Sequence, residues 1–241
     1  MTQTVLLDNV EHHDLRLISG HSAALGDKVN MALVFPTEFA EVQREYPILF
    51  RRSDNGTFQA FALLGLDRDE NLYLDDKGWQ ARYIPAIQAR GPFRIGLREQ
   101  ESGVTEPMIM VDLDHPRISR SEGAPLFQPH GGHSPALERV VQTLRTLHVG
   151  AEASHAMFTA FETAGLIAPV EINIRLDETT QYSLPGFFSI SSDGLSQLEG
   201  ATLEKLNTAG FLALAFCVLT SMGNMSRLIE MKNRQRALLP A

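Results

Sequence analysis

The segment "YPILFRRSDNGTFQAFALLGL", Tyr46 to Leu66, decides the fold predicted for this 241-residue chain, because two apolar runs flank a short polar turn. The runs "YPILFRR" and "TFQAFALLGL" are rich in aromatic and aliphatic residues, which favour extended structure. Between them, "SDNG" places Asn55 before Gly56, the dipeptide typical of a tight hairpin turn. The segment therefore predicts two antiparallel strands joined by a hairpin.

Further strand patterns follow this hairpin, at "NLYL", "WQARYI", "FRIGLRE" and "PMIMVDL". The short polar turns "DRDE" and "DDKG" precede the first two, and they leave no room for the helical crossovers that a parallel sheet requires. We therefore predict an antiparallel β-meander in the N-terminal half of the chain. Within it, Trp79 and Tyr83 should share one face of a strand that ends at Pro85.

Helical patterns dominate the second half of the chain. Ser134 as N-cap and Pro135 at the first helical position predict the start of a long helix. The runs "VEINIRL" and "QYSLPGFFSI" predict a second β-hairpin. A final helix is predicted from Phe211 to about Arg234, and its first half, apolar nearly all round, is expected to be buried. The predicted fold class is α+β, with the β-meander followed by helices and the second hairpin.

A loop rich in glycine, proline and serine, from Ser119 to His133, is the best candidate for a boundary. We expect a β-rich region over residues 1–120 and a helical region with the β-hairpin over residues 134–241. At this chain length both regions are expected to belong to one interlocked domain.

The composition restricts the class of partner and the compartment. Apolar residues make up 44% of the chain, as in folded proteins, and the formal net charge of −8 is opposite to that of a phosphate-backbone binder. We therefore expect no nucleic-acid partner. The longest apolar run, Ala209 to Leu219, is shorter than the ~20 residues that cross a bilayer, and the acidic N-terminal segment is unlike a cleavable export signal. We expect no membrane span and a cytoplasmic location.

The run "VDLDHPR" contains the metal candidates, Asp112, Asp114 and His115, directly after a predicted strand. On an extended backbone the two carboxylates point the same way and could hold a hard cation such as Mg²⁺. The alternative is a turn in which each aspartate bonds the nearby backbone. His130 and His133, in the loop sequence "HGGH", have no cysteine or acidic residue beside them, so we interpret them as solvated side chains.

Four residues are the candidates for ligand binding: Trp79, Arg82, Tyr83 and Arg90. A guanidinium group suits a carboxylate or a phosphate and stacks on aromatic rings. The alternative is that the arginines cover aromatic side chains and pair with the many carboxylates of an acidic protein. The chain contains neither a phosphate-binding loop nor a G-x-S-x-G nucleophile elbow. We identify no catalytic constellation and predict no cofactor.

Several of these motifs together resemble the bacterial SapC family of surface-layer-associated proteins. The resemblance runs nearly end to end, from "DLRL" to the last helix, and it includes an aliphatic "LLGL", a following "NLF(V)D" and a "W…Y(I/V)P" pattern. The matching positions are Leu63–Leu66, Asn71–Asp75, Trp79, Tyr83, Pro85, Arg90, Pro92 and Phe93. The chain departs from the family pattern at Ala89 and Gly91, where the family tends to have Arg and Tyr.

The resemblance implies an association with surface-layer biogenesis or export, but it implies no reaction. Our interpretation is an accessory or binding protein that contacts a protein or peptide partner, for instance by adding the partner's strand to an exposed sheet edge. The alternative is a metal-dependent or peptide-modifying enzyme of unspecified reaction.

Overall fold

The computed structural model describes residues 3–99 and 105–238 of the chain. The strands are β1 (Thr4–Leu6), β2 (Arg16–Leu17), β3 (Met31–Val34), β4 (Ile48–Arg52), β5 (Phe58–Leu63), β6 (Leu74–Asp75), β7 (Gly78–Trp79), β8 (Phe93–Glu99), β9 (Thr105–Asp112), β10 (Ile118–Ser119), β11 (Ala124–Pro125), β12 (Ile167–Arg175) and β13 (Gln181–Ile190). The helices are α1 (Phe39–Val42), α2 (Ala86–Ala89), α3 (Pro135–Thr163), α4 (Ser192–Ser196), α5 (Gly200–Thr208), α6 (Phe211–Ser221) and α7 (Asn224–Leu238).

The largest sheet has five antiparallel strands in the order β12-β13-β4-β5-β3. Its centre is the predicted hairpin β4–β5, whose turn is closed by the Gly56 amide donating to the Ser53 carbonyl at 2.8 Å. The second predicted hairpin, β12–β13, joins this sheet where Phe188 pairs with Phe50. The α+β fold class and its antiparallel strands are thus confirmed, and the main sheet draws strands from both halves of the chain.

Three smaller antiparallel sheets lie outside the main one. Strands β1, β9 and β8 form a three-stranded sheet, β10, β2 and β11 form another, and β6 pairs with β7. The pairing of β8 with β9 follows the two predicted strands "FRIGLRE" and "PMIMVDL". These sheets bring the N-terminal segment against residues more than a hundred positions further along the chain.

Helix α3 connects two hydrophobic clusters. Ser134 caps it by accepting hydrogen bonds from the amides of Ala136 and Leu137, as its sequence predicts. The first half of the helix packs into a cluster with Phe93 and Val111 of the three-stranded sheet, and the second half packs its phenylalanines on Phe50 and Phe58 of the main sheet. At the middle of α3, Gly150 lets the backbone approach Phe35 and Thr37.

The predicted strand "WQARYI" is wrong beyond its first residue. Strand β7 ends at Trp79, where it pairs with Leu74, and the chain then runs without regular pairing to Pro85, which begins the single turn of α2. The strand ends because its backbone amide and carbonyl groups bond side chains elsewhere in the fold and not a neighbouring strand. The Arg82 amide donates to the carboxylate of Glu45, and the carbonyl of Tyr83 accepts from a buried tyrosine hydroxyl.

The predicted C-terminal helix is divided into α6 and α7 by a turn at residues 222–223, and its apolar first half is not fully buried. Ala215 and Val218 of α6 face the core, whereas Phe216 is 49% exposed. The burial prediction fails because only one face of α6 meets the sheet. Within the described residues, the stretch Phe211–Leu238 is long and apolar enough to cross a membrane by length and composition alone, a test that core helices also pass.

Helix α7 is held to the body of the protein by buried charges. Lys232, 6% exposed, donates to Asp67 and Glu70 at 2.6 Å each, and these bonds raise the pKa of its ammonium group although burial opposes the charge. Near the end of the helix, Arg236 pairs with Asp177 at the tip of the β12–β13 hairpin. The two contacts fix the helix against two separate parts of the fold.

Candidate functional site: an arginine-lined recess

Trp79 and Tyr83, two predicted binding residues, use their polar atoms inside the protein. The Trp79 Nε1–H donates to the hydroxyl oxygen of Tyr46 at 2.8 Å, and that hydroxyl donates to the carbonyl of Tyr83 at 2.5 Å. The Tyr83 hydroxyl in turn donates to Glu38 at 2.8 Å. Both rings are half-buried against the main core. This chain of bonds joins the segment from Trp79 to Tyr83 to Glu38 and Tyr46, which lie on either side of the short helix α1.

Glu38 is the buried end of this network. Its carboxylate is 2% exposed and accepts from the amides of Phe35 and Ala86 as well as from Tyr83. Burial raises the pKa of Glu38 above its ordinary value, although the three hydrogen bonds favour the charged form. Burial also raises the pKa of the Tyr83 phenol, and the nearby charge of Glu38 adds to that effect. The network is a rigid support for the residues above it.

A recess of about 580 Å³ opens beside this support. We call it the arginine recess, and it is lined by Glu41, Arg44, Glu45, Gln80, Ala81, Arg82, Tyr83 and Arg227. Its residues come from α1 and the segment that follows it, from the segment after β7, and from α7. The Glu45 carboxylate accepts the Arg82 amide at 3.0 and 3.1 Å, and so positions the arginine at the wall of the recess.

The three arginines of the recess differ in their partners. Arg44 forms an exposed ion pair with Glu41 at 2.9 Å. No carboxylate of the described residues lies within ion-pair distance of the guanidinium groups of Arg82 and Arg227. Arg227 instead lies over the ring of Tyr73, with 5.7 Å from its guanidinium carbon to the ring centroid. The exposed guanidinium groups of Arg82 and Arg227 therefore line one concave site.

Arg90, the fourth predicted binding residue, is not part of this recess. It follows α2 and is half-buried, and burial lowers the pKa of its guanidinium group, with a further contribution from the charge of Arg94. The structure thus places Arg82 and Tyr83 in the recess, Trp79 in the layer that supports it, and Arg90 at a separate position.

The metal candidates form a turn after β9. Asp112 accepts the amide of Asp114 at 3.2 Å, Asp114 accepts the amide of Gln3, and Nδ1 of His115 accepts the amide of Arg117. Burial lowers the pKa of His115, and the charge of Arg117 acts in the same direction. Among the residues that the structure describes, no group of three or more His, Cys, Asp and Glu side chains could hold a metal ion. These contacts correspond to the turn alternative.

A buried ion pair lies next to this turn. Arg117, 5% exposed, donates to Asp27 at 2.7 Å, and Nδ1 of His21 lies 3.1 Å from the other carboxylate oxygen. Burial opposes the charge of Asp27, but the hydrogen bond with His21 and the charge of Arg117 outweigh it, so the pKa of Asp27 is lowered. His21 also packs edge-on against Trp79 at 5.6 Å. This cluster joins the segment from His21 to Asp27, Trp79 and Arg117, which are far apart in sequence.

The loop histidines are exposed, as interpreted from the sequence. His130 lies at the surface, and His133 lies next to Phe127, with which it forms an isolated β-bridge. The backbone carbonyl of His133 accepts from the side chain of Gln128 at 2.8 Å. These contacts close the loop before α3.

Sequence reasoning missed Arg44, Arg227 and the supporting Tyr46. Arg44 and Tyr46 lie in the segment "VQREYP", which predicts only the end of a short helix, and Arg227 lies on a helix whose charge pattern is ordinary. No spacing in the sequence relates residue 44 to residue 227, because only the tertiary fold brings α1 and α7 together. The sequence offers one signal for the site, which is the position of Arg44 directly before "EYP".

The fold and the site define an α+β protein with a concave surface, lined by three arginines and two glutamates, above a hydrogen-bonded aromatic layer. The family model for SapC matches residues 7–228, which is nearly the whole chain, and the protein belongs to the SapC family. Neither a curated protein nor a solved structure matches the chain.

Proposed function

We propose that this SapC-family protein is an accessory protein that binds a polypeptide partner through the arginine recess. One observation carries the proposal: the guanidinium groups of Arg82 and Arg227 line the recess without an ion pair to a carboxylate of the described residues. The role that the family resemblance implies, in surface-layer biogenesis or export, and a cytoplasmic location belong to the same proposal.

Arg82 and Arg227 matter because two unpaired guanidinium groups line one concave site. Among the described residues, the Lys and Arg side chains in ion pairs are Arg44, Arg52, Arg68, Arg117, Arg120, Lys232, Arg234 and Arg236, so an unpaired arginine alone would not mark a site. A guanidinium group that keeps no internal partner is open to an external carboxylate, which it can bind through two parallel hydrogen bonds. Polypeptides supply such carboxylates at Asp, Glu and the C-terminus.

The support beneath the recess favours binding of an ordered ligand. The backbone at Arg82 is fixed by Glu45, and Tyr83 is fixed by Tyr46 and Glu38. Arg227 lies on a helix that Lys232 holds in place. Donors that are ordered before the ligand arrives lose less conformational entropy on binding.

Photocrosslinking tests this proposal. A photoreactive benzoylphenylalanine replaces Gln80, which lines the recess and is exposed, in cells that express the protein from its own locus. The matched control position is Gln142, an exposed residue in another recess on α3. We expect a polypeptide adduct at Gln80 that is absent at Gln142 and is identified by mass spectrometry.

The arginines supply the specific control. The Arg82→Gln/Arg227→Gln variant should lose the adduct, whereas Arg139→Gln, which removes an exposed arginine on α3, should keep it. An absence of polypeptide adducts above the Gln142 level, or adducts that do not depend on Arg82 and Arg227, would rule out the proposed function.

A further inference from the structure

Helix α6 exposes an apolar face that the main sheet does not cover. Ala213, Phe216 and Thr220 are exposed at helical spacing, and we call these three residues the α6 face. Phe216 is 49% exposed, although a phenylalanine side chain carries a large apolar surface. Leu212 and Leu219, which flank this face, are only half-buried. Phe216 together with the half-buried Leu212 and Leu219 forms the apolar part of this side of α6.

The C-terminal end of α6 contacts the segment that carries Arg44 into the arginine recess. Thr220, one helical turn after Phe216, donates to the side chain of Gln43 at 3.1 Å, and the side chain of Asn224 donates to the Gln43 carbonyl at 2.8 Å. Gln43 immediately precedes Arg44 of the recess, and Arg227 lies one turn after Asn224 on α7. Four residues of helix span ~6 Å, so Phe216 lies about that far along α6 from the residue that contacts Gln43.

We infer that the partner segment carries a carboxylate next to one or more large apolar side chains. The carboxylate would bind Arg82 and Arg227, and the apolar side chains would cover Phe216 and its neighbours. This inference rests on the proposed function and names the chemistry of its ligand. It follows from the position of the exposed Phe216 on a helix that contacts Gln43, next to a recess with two unpaired guanidinium groups.

An anionic membrane surface fits these observations less well. Such a surface needs free basic residues beside the apolar strip. Of the four basic residues on α7, however, Lys232, Arg234 and Arg236 already form ion pairs within the chain. Only Arg227 remains without one among the described residues, and it faces the recess.

A selection from a random peptide library displayed on phage tests the inference directly. The wild-type protein should enrich peptides that combine an acidic group with a neighbouring aromatic or large aliphatic residue. For a synthetic peptide from that pool, Arg82→Gln/Arg227→Gln should lower the affinity about tenfold or more, because hydrogen bonds to charged groups are lost. Phe216→Ser should lower it about tenfold through lost apolar burial, and Arg139→Gln should leave it unchanged.

Four results would overturn the inference. The first is a selection that enriches peptides with only one of the two features, acidic or apolar, and the second is a selection that enriches no peptide. The third is binding to phosphatidylglycerol vesicles that Phe216→Ser abolishes. The fourth is a dimer of the protein that Phe216→Ser dissociates. Circular dichroism and thermal unfolding establish that each variant is folded. If the Gln80 crosslink depends on Arg82 and Arg227 while the selection fails, the proposed function stands and only the ligand chemistry is wrong.

Discussion

The indole N–H of Trp79 donates to the hydroxyl of Tyr46 at 2.8 Å, and through this bond the single tryptophan of the chain supports the wall of the arginine recess. Tyr46 is fully buried, and burial raises the pKa of its phenol far above the ordinary value. Its hydroxyl is therefore a neutral donor and acceptor at every physiological pH, and it joins Trp79 to the Tyr83 carbonyl.

Removing that hydroxyl should destabilise the protein. Tyr46→Phe leaves the Trp79 N–H and the Tyr83 carbonyl without partners in a half-buried layer, which should cost about 1–3 kcal/mol in the free energy of unfolding. Tyr182→Phe is the matched control, because its hydroxyl bonds Asp67 near the surface, and it should cost at most about 1 kcal/mol. Urea unfolding followed by far-ultraviolet circular dichroism measures both, and equal losses would contradict the structural role of Tyr46.

Glu38 should make stability depend on pH in a defined direction. Burial raises its pKa above 4.5 in the folded protein. The folded state then holds the proton more tightly than the unfolded chain does, so the contribution of Glu38 to the free energy of unfolding is present below pH 4.5 and declines as the pH rises through the folded pKa.

The Glu38→Gln variant cannot titrate at this position and should not show that decline. Unfolding free energies of wild type and Glu38→Gln across a pH series measure the difference, with Glu41→Gln, at an exposed glutamate on the neighbouring helix α1, as control. Parallel pH profiles for wild type and Glu38→Gln would show that Glu38 has no raised pKa.

Lys232 should be essential for docking α7. Lys232→Met removes the cation between Asp67 and the buried Glu70, and leaving a buried carboxylate unpaired should cost about 3–5 kcal/mol. Arg234→Met removes an exposed pair with Glu230 and should change stability by less than about 1 kcal/mol. Hydrogen exchange should show faster opening of α7 in the first variant only. Unchanged protection of α7 in Lys232→Met would contradict this role.

Gly150 should resist replacement although it lies inside a helix. An added Cβ would lie 2.5 Å from Cβ of Phe35 and 2.5 Å from the hydroxyl of Thr37, so Gly150→Ala should destabilise the protein by about 1–2 kcal/mol despite the better helix propensity of alanine. Gly200→Ala, at the first position of α5, meets nothing within 4 Å and should be neutral or stabilising by up to about 1 kcal/mol. Thermal unfolding distinguishes them, and a stabilised Gly150→Ala variant would contradict the close approach.

The parts of the fold that follow from the sequence are those encoded locally. The Asn55-Gly56 turn fixes the β4–β5 hairpin, and Ser134 with Pro135 fixes the start of α3, because each signal acts within a few residues. The alternation after Trp79 predicts a strand, because the pattern alone cannot reveal that the Glu45 carboxylate accepts the Arg82 backbone amide. That bond spans 37 residues and depends on the tertiary fold.

The same limit applies to the candidate site. Arg82 and Tyr83 could be selected from one motif, and the structure places both in one recess. Nearness in sequence groups Arg90 with them, but Arg90 follows the turn of α2 and does not line the recess. The exposed side of α6 could not be predicted either, since its sequence is apolar on every face and only the packing decides which face stays open.

The most direct test is the affinity of the arginine recess for the polypeptide segment recovered by crosslinking at Gln80. Calorimetry with that segment as a synthetic peptide compares wild type, Arg82→Gln/Arg227→Gln and Arg139→Gln. We predict an affinity about tenfold or more lower in the double variant only, with a weaker effect at high salt because the ion pairs are then screened. Equal affinity in all three proteins, or no recoverable segment, would contradict the central claim.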